Sequence, residues 1–145
     1  MILLPPELRQ TLRTNAVLRE MHARRELAEP DPCPVVKFFN PLSAATWLAT
    51  ELDRDGDTLF GLADLGFGCP ELGSFRLSEI RAIRLPFGLW IERDLSFATP
   101  FALSVWSAAA RRAGSILWAE TILRRAAESG ADPELPIRSG EPDGG

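Results

Sequence analysis

The sequence predicts an α+β fold, with a small, mostly antiparallel sheet of four or five strands and with N-terminal and C-terminal helices packed on it. Three observations lead to this prediction. Apolar residues recur at helical spacing near both ends of the chain, short aromatic or alternating runs occupy the middle, and turn residues separate these runs. With 145 residues, the chain has enough material for one hydrophobic core.

The first helix is predicted at residues 6–28. Leu8, Leu12 and Ala16 keep the four-residue spacing of one helical face, and Pro6 suits the first turn, where no backbone donor is needed. Three prolines at positions 30, 32 and 34 then exclude helix and favour an extended linker.

Four short strands are predicted next, at residues 35–39, 46–52, 58–65 and 72–77. The segments NPLSA and DRDGD contain turn residues, so the first three strands are expected to form an antiparallel meander. A short helix should follow the fourth strand, with Ser78 as its N-cap.

A fifth strand is predicted at residues 89–97, where apolar and polar residues alternate. One face of it is apolar except for a single guanidinium: Leu89, Ile91, Arg93, Leu95 and Phe97. Because an unpaired buried charge costs several kcal/mol, Arg93 should either be paired or line a site. Glu92 and Asp94 are expected on the opposite, outward face.

After Pro100, a second long helical pattern runs to about residue 128, and Gly114 is a point at which it can divide into two helices. Trp118 falls on the polar side of this pattern. We therefore predict an α+β core at residues 1–100, an amphipathic helical extension at 101–129 and a disordered tail at 130–145.

Composition limits the class of function. The net charge of −4 opposes a general nucleic-acid-binding surface. Fifteen of the 16 basic residues are arginine and Lys37 is the single lysine, a skew typical of a GC-rich genome. Two separated cysteines fit a reducing compartment, and neither a signal peptide nor a membrane span is apparent, so we expect a cytoplasmic protein without membrane association.

Motifs of known chemistry are absent. The chain has neither a GxGxxG nor a GxxxxGK[ST] phosphate loop, no GxSxG elbow, and a single histidine, His22. DRDGD resembles the start of a calcium loop, but Thr58 and Asp64 stand where an EF-hand needs glycine and glutamate. We therefore predict no cofactor, no metal and no catalytic residue.

Five charged residues form the candidate polar network: Glu79, Arg84, Glu92, Arg93 and Asp94. In the favoured interpretation, Arg93 anchors the fifth strand to the short helix through Glu79, and Glu92 and Asp94 serve in binding. In the alternative, Glu79, Glu92 and Asp94 form the site of a metal-assisted hydrolase or nuclease.

Two further surfaces are candidates for a partner. Trp118, with Arg111 and Arg125, is predicted to form a contact surface for a protein partner or a second copy of the chain. Seven aromatic residues fall on predicted strands and offer an alternative, RNA or single-stranded DNA binding through an aromatic sheet face: Phe38, Phe39, Trp47, Phe60, Phe75, Trp90 and Phe97. Core packing is their more common role.

Three runs resemble a known family: VKFFNP with the tryptophan of TWLATEL, then ELGSFRLSEI, then PFGLWIERDLSF. They are similar to the bacterial family catalogued as domain of unknown function 2958, whose members have a KFF run, a tryptophan-bearing strand, a GxFSLxEL segment and a GLPIERD run. The resemblance covers residues 3–97, with Arg76 and Trp90 as departures from the family pattern.

This resemblance implies a genetic context and no established activity, because such proteins are encoded on plasmids and integrative elements. Together with the missing catalytic motifs, it predicts a non-enzymatic accessory or regulatory protein of a mobile genetic element that acts by binding a macromolecule.

Overall fold

A computed structural model describes residues 1–130, so most of the tail predicted at 130–145 lies outside the described residues. A single 3₁₀ turn, Pro86–Gly88, precedes the fifth strand. The other elements, in chain order, are α1 (Pro6–Arg24), β1 (Val36–Phe39), β2 (Thr46–Leu52), β3 (Thr58–Asp64), β4 (Glu71–Arg76), α2 (Leu77–Ala82), β5 (Glu92–Arg93), α3 (Leu103–Ala113) and α4 (Ile116–Ser129).

The five strands form one antiparallel sheet in the order β4-β3-β2-β1-β5. The first four strands are a meander, in which each strand pairs with its neighbour in sequence. Helices from both ends of the chain pack on this sheet, which confirms the predicted α+β fold. Within residues 1–130, no helix has the length and apolar character that crossing a membrane requires.

Each face of the sheet carries its own hydrophobic cluster. Leu12 of α1 packs with Phe38 and Leu59 on one side, while Leu48 and Leu62 pack against α3 and α4 on the other. Phe38 and Trp47 are both buried in the first cluster. These two rings are therefore not open for the base stacking that an aromatic sheet face would provide.

Helix α1 ends at Arg24 instead of reaching residue 28 as predicted. Glu26 adopts the left-handed conformation at φ 56°, and the amide of Leu27 donates to the His22 carbonyl at 2.9 Å. The amide of Glu26 donates to Ala23. This pair of hydrogen bonds is a Schellman motif, which ends the helix. The left-handed position of such a motif is usually glycine, and here it is Glu26.

Aspartates distant in sequence cap the starts of the later helices. Asp57 accepts from the Ser78 amide at 2.8 Å and from its hydroxyl at 2.7 Å, and Asp64 accepts from the Ile116 amide at 2.9 Å. The predicted N-cap role of Ser78 is therefore wrong, because α2 already begins at Leu77. A carboxylate from the β2–β3 turn supplies the cap instead.

The predicted fifth strand is shorter than the alternation suggested, since only Glu92–Arg93 pairs with β1. Ile91 is buried, but Leu95 is 73% exposed, so the expected apolar face does not continue. Asp94 explains the end of the strand, because its Oδ1 accepts from the Ser96 amide at 2.9 Å and turns the chain.

The C-terminal helical pattern divides at Gly114, which ends α3 in the left-handed conformation at φ 81°. Ser115 then caps α4, and its hydroxyl accepts from the Trp118 amide at 3.0 Å. The two helices pack against each other and against the sheet. They bring Glu120 of α4 over β1, where it contacts Lys37.

Candidate functional site

The single lysine lies at the centre of a polar cluster between β1 and α4. Lys37 Nζ donates to Glu120 Oε1 and Oε2 at 3.0 and 3.1 Å, and lies 3.6 Å from Asp94 Oδ2. The Lys37 side chain is only 8% exposed. Its ammonium is therefore compensated by two carboxylates and links β1, the end of β5 and α4.

Asp94 does not point outward as predicted. Its amide donates to the Lys37 carbonyl at 2.9 Å, so the two residues lie side by side on neighbouring strands. Residues at such positions share a face of the sheet, which brings the carboxylate towards the ammonium. The Asp94 side chain remains 30% exposed.

Beside this cluster lies a cavity of about 520 Å³. Its lining is Met1, Lys37, Phe39, Asn40, Pro41, Ser43, Thr46, Glu92, Arg93, Asp94, Leu95 and Leu117. Arg93 Nη1 is buried and has no hydrogen-bond partner among the described residues. Glu92 is half-buried, and no ion pair within residues 1–130 includes it.

The other two members of the candidate polar network lie elsewhere. Glu79 is exposed on α2, and Arg84 Nη1 donates to the Arg81 carbonyl at 3.0 Å. In the described part of the chain, no ion pair joins either residue to Arg93. The expected link through Glu79 is therefore not formed, since the Glu79 side chain lies exposed on α2.

The metal-dependent alternative needs its three carboxylates in one place. Across residues 1–130, no group of three or more histidine, cysteine, aspartate or glutamate side chains could hold a metal ion. Glu92 and Asp94 line one cavity, but Glu79 does not join them. A metal centre built on these three side chains is therefore not formed in the described part of the chain.

A second cavity, of about 640 Å³, lies next to the 3₁₀ turn and is mostly apolar; we call it the arginine-rimmed groove. Its lining is Met1, Ile2, Leu3, Arg81, Arg84, Leu85, Gly88, Leu89, Trp90 and Ile91. Trp90 is 52% exposed, and Phe87 on the adjoining turn is 91% exposed. Phe87 holds φ 65°, a left-handed conformation that is uncommon for a bulky residue.

The apolar run before the fifth strand is the sequence feature that indicates this groove, although the predicted strand includes part of it. The run from Leu85 to Ile91 contains only apolar residues, proline and glycine, and the short strand that follows, Glu92–Arg93, includes none of them. Part of this apolar run, including Phe87 and Trp90, therefore lies at the surface.

The predicted partner surface on the C-terminal helices is solvent-exposed. Trp118 is 66% exposed, and Arg111 and Arg125 also lie at the surface. Leu117, which is 40% exposed, connects this surface to the cavity beside Lys37.

A third cavity, of about 320 Å³, lies between α1 and β2 and already contains an internal ion pair. Arg19 Nε donates to Glu51 Oε1 at 2.7 Å, and this hydrogen bond raises the pKa of the Arg19 guanidinium above its ordinary value. The pair satisfies both of these charged groups.

The DRDGD segment is a closed hairpin turn, as expected. Asp55 accepts from the Thr58 amide and hydroxyl and from the Asp57 amide, and these bonds lower the pKa of Asp55 to about 2. Its carboxylate oxygens are used within the turn, which is a structural role.

Comparison with known proteins gives one match. A family model described as protein of unknown function (DUF2958) matches residues 3–117. The match extends past residue 97, through α3 and to the start of α4, and so covers more of the chain than the three runs indicated. No curated protein and no solved structure matches the chain.

Proposed function

We propose that this chain, which belongs to the DUF2958 family of proteins of unknown function, is a non-enzymatic accessory protein that acts by binding another protein. The observation behind this proposal is the exposed apolar surface at the arginine-rimmed groove. The setting on a mobile genetic element rests on the family resemblance alone. A cytoplasmic location is part of the proposal and fits two cysteines that are both free.

Exposed aromatic side chains at the groove support a contact surface. Large contiguous apolar patches on a protein surface commonly mark interaction sites. Trp90, which is 52% exposed, lines a cavity of about 640 Å³ where an apolar side chain of a partner can insert, and Phe87 is exposed on the adjoining turn. A left-handed backbone at a non-glycine residue costs about 1–3 kcal/mol, and such outliers cluster at binding sites.

The charges at the groove indicate the chemistry of the partner. Arg81 and Arg84 are the charged residues of its lining, and no acidic residue is among them. Because Arg84 Nη1 is held by the Arg81 carbonyl, its guanidinium is oriented and its other N–H groups can meet a carboxylate. The partner is therefore an amphipathic protein segment, apolar on one face and flanked by aspartate or glutamate.

Labelled peptides test this proposal by fluorescence anisotropy. The first is an amphipathic peptide of leucine and glutamate, the second has lysine for glutamate, and the third has serine for leucine. We expect the first peptide to bind the full chain roughly tenfold or more tightly than the other two. Arg81→Glu with Arg84→Glu should shift the preference towards the lysine peptide.

Phe67 provides a matched control. It is 84% exposed on the β3–β4 turn, and it lines neither the groove nor the cavity beside Lys37. Trp90→Ala should weaken binding of the acidic peptide several-fold, and Phe67→Ala should leave the affinity for it unchanged. Equal binding of all three peptides, or equal losses in the two variants, would show that the groove is not the binding surface.

The surface around Trp118 is a second candidate, because Trp118 is the most exposed tryptophan of the described residues. We assign it to contact between two copies of the chain, together with Arg111 and Arg125. Sedimentation of wild type and of Trp118→Ala tests this role. A wild-type monomer at high concentration would exclude it.

A further inference from the structure

We infer that β4 pairs with β4 of a second copy of the chain, antiparallel and around a two-fold axis at Ser74. The five-stranded sheets of the two copies then join edge to edge in one continuous sheet. This contact involves neither the arginine-rimmed groove nor the surface around Trp118, and it does not depend on the proposed protein partner.

The outer side of β4 is an unprotected sheet edge. β4 is the first strand in the order β4-β3-β2-β1-β5, and in the described part of the chain no other strand pairs with that side. Soluble proteins protect such edges with very short strands, lysine, proline or bulges. The opposite edge strand, β5, has only two residues, whereas β4 has six, contains neither lysine nor proline, and pairs with β3 without a shift in register.

Hydrogen bonding along β4 shows which backbone groups face outward. The Leu77 amide donates to the Asp57 carbonyl at 2.9 Å, and this pair continues the register between β3 and β4. Because hydrogen-bonded and non-hydrogen-bonded pairs alternate in an antiparallel ladder, Gly73 and Phe75 bond to β3. Three residues of β4 therefore point their backbone N–H and C=O groups away from the sheet: Leu72, Ser74 and Arg76.

The register follows from these three residues, because outward-facing groups of one strand must stand opposite outward-facing groups of the other. A two-fold axis at Ser74 pairs all three residues with outward-facing residues of the second copy, whereas an axis at Gly73 or Phe75 pairs only two. With the axis at Ser74, Leu72 lies opposite Arg76 of the second copy, and Ser74 lies opposite its own equivalent. Charge does not oppose this pairing, because Arg76 meets an apolar residue.

The side chains fit this pairing on both faces of the sheet. Leu72 is 40% exposed, and the alkyl part of Arg76 of the second copy can cover it. On the other face Phe75, which is half-buried, lies opposite Gly73 of the second copy, where a ring covers the space that a glycine leaves in an edge strand. A strand of six residues gives a small contact, so we expect a Kd on the order of 0.1 mM.

Amide hydrogen exchange measured by NMR tests the pairing, at protein concentrations roughly tenfold below and tenfold above this Kd. We expect the amides of Leu72, Ser74 and Arg76 to exchange several-fold more slowly at the higher concentration. The amides of Gly73 and Phe75 already bond to β3, so their exchange should not change. This alternation along the strand distinguishes strand pairing from any other contact between copies.

Charges at the two-fold axis test the register. Ser74→Lys and Ser74→Glu each place like charges opposite each other, so each variant should stay monomeric in sedimentation at the concentration at which the wild type associates. A one-to-one mixture of the two variants should associate at least as tightly as the wild type, and added salt should weaken this association. Ser74 and Ser96 are both exposed, so these variants are expected to fold, and Ser96→Lys is the matched control that should associate like the wild type.

Three results would overturn the inference: a wild type that is monomeric at the higher concentration, slower exchange without the alternation, or a mixture of the two variants that does not associate. Trp118→Ala separates the two proposed contacts between copies, because it should leave the slower exchange of the β4 amides unchanged. Association that is lost in Trp118→Ala and retained in Ser74→Lys would assign the contact to the surface around Trp118 and reject the pairing of β4.

Discussion

Replacement of Lys37 by methionine is expected to destabilise the fold, because it leaves two carboxylates facing each other beside β1. The ammonium donates to Glu120 at 3.0 and 3.1 Å and lies 3.6 Å from Asp94. Methionine has a similar length and no charge, so the change removes the ion pairs with little loss of packing.

The size of the expected loss in the free energy of unfolding depends on how exposed the two carboxylates are to water. Removing one partner of a fully buried ion pair costs about 3–5 kcal/mol. Here the Glu120 side chain is 25% exposed and that of Asp94 is 30% exposed, so solvent recovers part of this energy. We expect a loss of about 2 kcal/mol in the free energy of unfolding, and a fall in Tm of roughly 4–8 °C.

Urea denaturation measures this change, with two comparisons. Lys37→Arg keeps the charge and should lose less stability than Lys37→Met. Arg54→Met removes a surface ion pair with Glu20, in which Arg54 is 75% exposed, and should change stability by no more than about 0.5 kcal/mol. If Lys37→Met is as stable as wild type, or as stable as Arg54→Met, the polar cluster does not hold α4 on the sheet.

Three other changes test the framework of the fold. A Cβ on Gly61 would lie 2.8 Å from the Leu48 carbonyl carbon, whereas a Cβ on Gly73, its partner on β4, would meet open space. Urea denaturation should therefore show a loss in the free energy of unfolding of roughly 3 kcal/mol for Gly61→Ala and almost none for Gly73→Ala. Asp64→Ala should cost about 3 kcal/mol by the same assay, because a fully buried carboxylate that caps α4 is lost. The folded pKa of Asp55, about 2, lies below its ordinary 3.8, so its stabilisation is present above pH 3.8 and is lost as the pH falls towards 2. Asp55→Asn should remove this pH-dependent part of the unfolding free energy, and an unchanged pH profile would contradict the assignment.

Local sequence was sufficient where an element has clear boundaries of its own. The strand Thr46–Leu52 was predicted with its observed limits, because its aromatic and β-branched residues lie between two turns rich in proline, aspartate and glycine. Gly114 was predicted as a possible division of the C-terminal helix for a similar local reason, since glycine readily adopts the left-handed conformation that ends α3.

Partners distant in sequence set the features that were missed. The alternation at residues 89–97 is genuine, but β1 has only four residues and pairs with two of them, so most of the alternating run has no strand beside it. The capping of Ser78 by Asp57 spans 21 residues, and the contact between Lys37 and Glu120 spans 83. No local spacing connects such pairs, so in the sequence Lys37 stands out only as the single lysine and as part of a family run.

The segment from Leu89 to Asp94 separates the arginine-rimmed groove from the cavity beside Lys37. Leu89, Trp90 and Ile91 line the arginine-rimmed groove, and Glu92, Arg93 and Asp94 line the cavity beside Lys37. Two residue pairs between β5 and β1 hold this segment in place, together with the contact of Asp94 with Lys37. A change that loosens this short strand therefore also loosens the segment that positions Trp90 in the groove.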